Sequence, residues 1–83
     1  MIQTAEDLRA TVFSVLAEIA PEADAASVDA AESLREQLDL DSMDFLNFVI
    51  GLHKRLGVEI PESDYSRLSS INGVIAYLGA RAR

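Results

Sequence analysis

The apolar positions of this chain recur in helical register over most of its length. Leu8, Val12, Val15, Leu16 and Ile19 are spaced three and four apart, which predicts one amphipathic helix with a buried stripe. Thr4-Ala5-Glu6-Asp7 in front of it approximates a capping box, with a hydroxyl for orphan N–H groups and an acid three residues on. Pro21 ends the helix near Ala20.

The strongest periodicity begins at Asp41-Ser42 and runs to Leu56, where Gly57 suits the left-handed residue just past a helix end. Asp41 and Asp44 stand near its start and Lys54 and Arg55 in its last turn, the charge order that the helix dipole favours. After Val58-Glu59-Ile60, Pro61 opens a short helical turn through Leu68. Ser69 or Ser70 then caps a last helix whose Ile71, Val74, Ile75 and Leu78 point inward. Between the first two strong helices lies a connection over 21–41, anchored by Val28, Leu34, Leu38 and Leu40. A structureless loop of that length is uncommon, so both a helical turn around Ser33–Leu38 and a functional role are expected. No segment alternates with period two, and no repeat appears. The pattern predicts an all-α four-helix bundle, three main helices and one short one, as a single domain over 1–83.

The 41–56 helix has more apolar residues than one stripe can hold. At about 100° per residue from Ser42, Phe48, Leu52, Phe45, Leu56 and Val49 fall between roughly 240° and 340°, which makes a core arc. Leu46, Ile50 and Met43 fall at about 40°, 80° and 100°, beside the serine. This second strip reads either as a docking surface or as a contact with the 21–41 connection. Ser42 has two readings as well. It can be a helix-start residue sharing the capping with Asp41. It can also be a modification site, since a phosphoester there would meet free N–H groups and the positive dipole end.

Composition narrows the classes of function. Eighty-three residues make one core, because a domain of this size removes only about 60–65% of its unfolded surface from water. Fourteen acids against seven Lys and Arg give a net charge of −7, which argues against nucleic acid and anionic membrane as partners and for basic protein surfaces. Ten acids and two bases precede Ser42, and four acids and five bases follow from it on, so the acidic character ends near the start of that helix. With no cysteine, there are no disulfides, thiolate metal sites or thiol nucleophiles. Met1-Ile2-Gln3-Thr4 is no charged leader and no apolar run of spanning length follows, as expected of a cytoplasmic chain.

Enzymatic chemistry finds little to use. The only histidine, His53, lies three turns from Ser42 along the same helix, roughly 16 Å by helical rise, so no Ser–His pair can form. His53 reads as a surface or boundary residue. Asp39, Asp41 and Asp44 lack the glycine and terminal glutamate of a calcium loop, and no metal site is expected.

Leu40-Asp41-Ser42-Met43-Asp44 opening an amphipathic helix, then Gly57-Val58-Glu59-Ile60-Pro61 and a Ser70-Ile71 helix start, resemble the acyl carrier protein family over nearly the whole chain. The resemblance implies an acyl-carrier-like bundle that is not an enzyme. It also implies a 4′-phosphopantetheine arm on Ser42, attached by a phosphopantetheinyl transferase that uses coenzyme A. Asp41 matches the acid that assists the transferase and its magnesium ion. Met43, Asp44, Leu46 and Ile50 match positions that partner enzymes contact, with Asn47 among them on that face. The expected partners are acyl-transferring, ligase or synthase enzymes with basic docking surfaces, in fatty acid or in specialised polyketide or aminoacyl biosynthesis, and the chain is expected to be a monomer. The thiol for thioester chemistry would come from the arm, in keeping with a chain free of cysteine. Asn47, His53, Lys54 and Arg55 stand where fatty-acid-type carriers commonly have acids, and Asp39 replaces a frequent glycine. The alternative of another class is a carrier-fold interaction module without an arm, in which Ser42 is only a cap.

Overall fold

A computed structural model describes residues 4–22, 24 and 27–81. Residues 1–3, at which a leader would begin, lie outside it. Four α-helices follow in order: α1 (Ala5–Ile19), α2 (Leu34–Gln37), α3 (Ser42–Leu56) and α4 (Ile71–Arg81). A 3₁₀ helix, Glu62–Leu68, precedes α4. The described residues include no strand, and none of their helices is long and apolar enough to cross a membrane.

The local signals act where the sequence places them. Thr4 Oγ1 accepts from Asp7 N–H at 3.1 Å, and Asp7 Oδ2 accepts from Thr4 N–H at 3.4 Å, which closes the capping box of α1. Gly57 terminates α3 at φ 66°, its N–H donating to His53 O at 2.8 Å. His53 Nδ1 donates to Val58 O at 2.9 Å, so the histidine holds the chain as it leaves α3. Ser70 Oγ accepts from Gly73 N–H at 3.1 Å, and so Ser70 rather than Ser69 caps the start of α4.

The core is where three helical stripes meet. Leu8, Val12 and Val15 of α1, Phe48 and Leu52 of α3, and Ile71, Val74 and Leu78 of α4 are all buried. Gly51 lets α1 and α3 approach closely, since a Cβ there would lie 2.6 Å from Val15 Cγ1. On α4 the buried set includes Tyr77, which the periodic pattern omits, while Ile75 is only half-buried. Tyr77 can go inside because its hydroxyl donates to Asp64 at 2.6 Å. Burial and that bond, in that order, raise its pKa above the ordinary 10.0.

Two segments show why tertiary contacts were needed. The 21–41 connection contains α2, one turn capped by Ser33 and closing on wholly buried Leu34. Leu34 N–H donates to Ser69 O at 2.7 Å, and Asn72 N–H donates to Ala30 O at 3.0 Å. The Gln37 amide accepts from Asp29 N–H at 2.7 Å and donates to Asp29 O and Glu32 O. The connection is thus stitched to the start of α4 and to itself, which satisfies backbone groups that a plain loop would leave to water. In Glu62–Leu68 the helix is 3₁₀ over all seven residues. Tyr65 and Leu68 are three apart, and three residues per turn put both on one side. Leu68 is wholly buried there.

Candidate functional site

The start of α3 gathers the residues that the sequence singles out. Asp41 is the N-cap, its Oδ1 accepting from Asp44 N–H at 2.8 Å, and Asp44 Oδ2 accepts in return from Asp41 N–H at 3.4 Å. The two acids therefore satisfy orphan donors at the helix start. This corrects the view of Ser42 as a capping residue. Ser42 is the first residue inside the helix, exposed, and its hydroxyl bonds no backbone donor of its own helix. Its Oγ instead accepts from Arg35 Nη2 at 3.3 Å.

Down the same face, the second apolar strip lies open. Met43 is 63% exposed, Leu46 38% and Ile50 40%, and these are the large hydrophobic side chains most exposed among the described residues. The described residues of the 21–41 connection leave them exposed. Asn47 is exposed beside them, and Asp44 is half-buried. The core arc of α3 behaves oppositely: Phe45, Phe48, Val49 and Leu52 are buried, with Leu56 half-buried at the edge.

A groove of about 470 Å³ opens beside Ser42. Arg35, Ser42, Phe45, Leu46, Tyr65 and Ser69 line it, together with Ser33 and Ser66. Its floor is aromatic, since Phe45 meets the Tyr65 ring edge-on with centroids 6.1 Å apart. Arg35 lies over Phe45, its guanidinium carbon 5.6 Å from the ring centroid. Beyond Tyr65 a smaller hollow of about 200 Å³ runs between Ile50, His53 and Ile60. Arg35, Tyr65, Ser66 and Ser69 escaped the sequence reading because they reach the serine from α2 and the 3₁₀ segment. The one available signal was Ser33 before Leu34, which predicts a turn there but not the direction of the next side chain.

Asp39, just ahead of the motif, has φ 53°. The left-handed region is where glycine costs nothing and aspartate is among the better-tolerated residues. A backbone requirement explains why a glycine would serve at this position.

An exposed hydroxyl at a helix start, with a guanidinium beside it and an open groove, fits a phosphodiester-linked arm. Residues 10–78 match the family described as a phosphopantetheine attachment site. The chain belongs to the acyl carrier family. It is 36% identical over 73 residues to an acyl carrier protein of Campylobacter hominis, covering 88% of this chain and 86% of that protein. An acyl carrier protein of Helicobacter hepaticus is 28% identical over 79 residues, 95% of this chain and 97% of its own. The D-alanyl carrier protein 1 of Lactiplantibacillus plantarum is 34% identical over 64 residues, 77% and 78% of the two chains. As a member of this family the chain is a carrier with a 4′-phosphopantetheine prosthetic group, not an enzyme, and it works through partner enzymes. Among the described residues of the carrier, no three His, Asp or Glu groups gather as metal ligands.

Proposed function

We propose that Ser42 bears the 4′-phosphopantetheine arm and that the chain, as one domain over 1–83, presents acyl groups to enzymes of fatty acid or specialised polyketide or aminoacyl biosynthesis. The observation that carries this is the division of labour at the start of α3. Asp41 and Asp44 do the capping, which leaves the Ser42 hydroxyl exposed and free of backbone duty. A transferase can form the P–O bond on that oxygen as the serine proton leaves and the nucleotide portion of coenzyme A departs. When bound, the arm supplies the thiol for thioesters, which a chain without cysteine cannot supply itself.

Met43, Leu46 and Ile50, with Asp44 and Asn47, would form the surface that partners grip. The exposed apolar strip supplies contact area and the acids ahead of Ser42 steer basic partners toward it. Asp41 would assist the transferase with its magnesium ion while it caps the helix. In this reading the chain is a cytoplasmic monomer, which suits a carrier that must leave each partner quickly. Similarity to the D-alanyl carrier favours keeping aminoacyl cargo beside fatty acyl cargo. An interaction module without an arm would need Ser42 to be structural, and its lack of a capping bond argues against that.

Incubation with a broad-specificity phosphopantetheinyl transferase and coenzyme A should add one phosphopantetheine by intact mass, and Ser42→Ala should abolish it. No increment, or an increment that persists in Ser42→Ala, would refute the assignment.

A further inference from the structure

Arg35 is exposed, yet its guanidinium is engaged on two sides, with Nη2 on Ser42 Oγ at 3.3 Å and Cζ 5.6 Å from the Phe45 ring centroid. An arginine in this acidic stretch has carboxylates close in sequence at Glu32, Glu36, Asp39 and Asp41. Among the described residues it makes an ion pair with none of them; the ion pairs there are Arg55–Glu18 and Arg81–Asp64. Its place is set by a rigid base, because α2 is capped by Ser33, buried at Leu34 and bonded to Ser69 O.

The electrostatics around Ser42 call for a cation. Asp41 and Asp44 flank the serine, so a phosphodiester on its oxygen would add a third negative charge to a crowded helix start. Of the residues lining the adjoining groove, only Arg35 is charged. A guanidinium offers several N–H donors in a planar fork that matches phosphate oxygens, and ring stacking leaves those edge donors available.

We propose that Arg35 is the anion-pairing residue of this site: it binds the phosphodiester on Ser42 and seats the root of the arm at the mouth of the groove walled by Phe45, Tyr65, Ser66 and Ser69. This rests on the reading that Ser42 carries the arm. Arg35 is a positioning residue, and its effect is on where the arm lies before a partner takes the cargo.

The wild-type chain, Arg35→Gln and Arg35→Lys are loaded from coenzyme A, and loading is verified by intact mass. The ³¹P spectrum and the nuclear Overhauser contacts from arm to ring protons are then recorded at low and physiological salt. In the loaded wild type, arm protons contact Phe45 and Tyr65. Arg35→Gln shifts the ³¹P resonance and weakens those contacts by about three- to fivefold, the scale of one exposed charge-assisted pair. Arg35→Lys, which keeps the charge but not the fork, falls between the two. Salt moves the wild type toward Arg35→Gln. Arg35 is exposed and meets the core only over the face of Phe45, so unloaded thermal midpoints differ by no more than about 4–8 °C. Loaded wild type and loaded Arg35→Gln with the same ³¹P position and the same contacts would overturn the role of Arg35 while leaving Ser42 as the attachment site. Failure of the wild type to gain mass would remove both, and the mass alone reveals it.

Discussion

The inward and outward faces of α3 are built from the same kinds of side chain and meet opposite fates. Phe48 and Leu52 are wholly buried in the core, whereas Met43, Leu46 and Ile50, interleaved with them along the same helix, stay substantially in water. Helical rotation puts Phe48 and Leu52 more than a quarter turn from all three outward residues. The inward set is held by shape, since Gly51 admits Val15 and Phe45 meets Tyr65 edge-on. In the outward set, Leu46 and Ile50 border open hollows instead. Hydrophobicity alone therefore does not mark the core of this protein. Position relative to the α1–α4 wall does, and the surplus apolar surface stays exposed.

The largest break in this contrast should come from truncation of the inward face. Phe48→Ala should cost about 3–5 kcal/mol in denaturant unfolding, enough to leave so small a domain largely unfolded, while Met43→Ala should shift the midpoint by less than about 0.5 kcal/mol. Equal losses would show that the outward strip is also structural.

The wall behind Phe45 gives the next test. Tyr77 Oη donates to Asp64 at 2.6 Å and so ties α4 to the 3₁₀ segment that carries Tyr65. Tyr77→Phe should cost about 1.5 kcal/mol, the value of a hydrogen bond to a charged group. The phenol titrates above 10.0 in the fold, so it protonates more readily there than when unfolded. Its stabilisation is complete below pH 10 and fades as the pH climbs through the raised folded value. Urea midpoints should thus fall in alkali more steeply for the wild type than for Tyr77→Phe, and parallel curves would contradict this.

The outward face should respond in binding instead. The double substitution of Leu46 and Ile50 by Glu should weaken capture by a phosphopantetheinyl transferase about tenfold, equivalent to about 1.4 kcal/mol, and move the thermal midpoint little. Unchanged KM for the carrier in the transferase reaction would deny the strip its docking role.

The smallest contrast lies between neighbours at the helix start. Asp41→Ala should lose about 1 kcal/mol as a cap, whereas Ser42→Ala should lose less than about 0.5 kcal/mol. The reverse order in thermal unfolding would return the capping function to Ser42.

Much of this was legible because it is local. Thr4 with Asp7, Pro21, Gly57 and the periodic leucines and valines act over one or two helical turns, and the elements began and ended accordingly. The buried status of Tyr77 was not legible, since a phenol goes inside only if a distant acceptor such as Asp64 receives it. Arg35 was equally silent, because nothing in Leu34-Arg35-Glu36 tells which way a one-turn helix will face until Leu34 is fixed in the core.

By itself the sequence determined the helices, the two apolar arcs of α3, the acidic lead-in to Ser42 and the motif that carries the family resemblance. Periodicity and capping chemistry are properties of neighbouring residues, and they need no knowledge of the fold. Only the tertiary structure decided that the second arc stays bare and that Arg35 and Tyr65 stand beside the serine. Those facts depend on α2, the start of α3 and the 3₁₀ segment meeting at one corner, and packing of Leu34 and Leu68 into the shared core, not any local signal, brings them there.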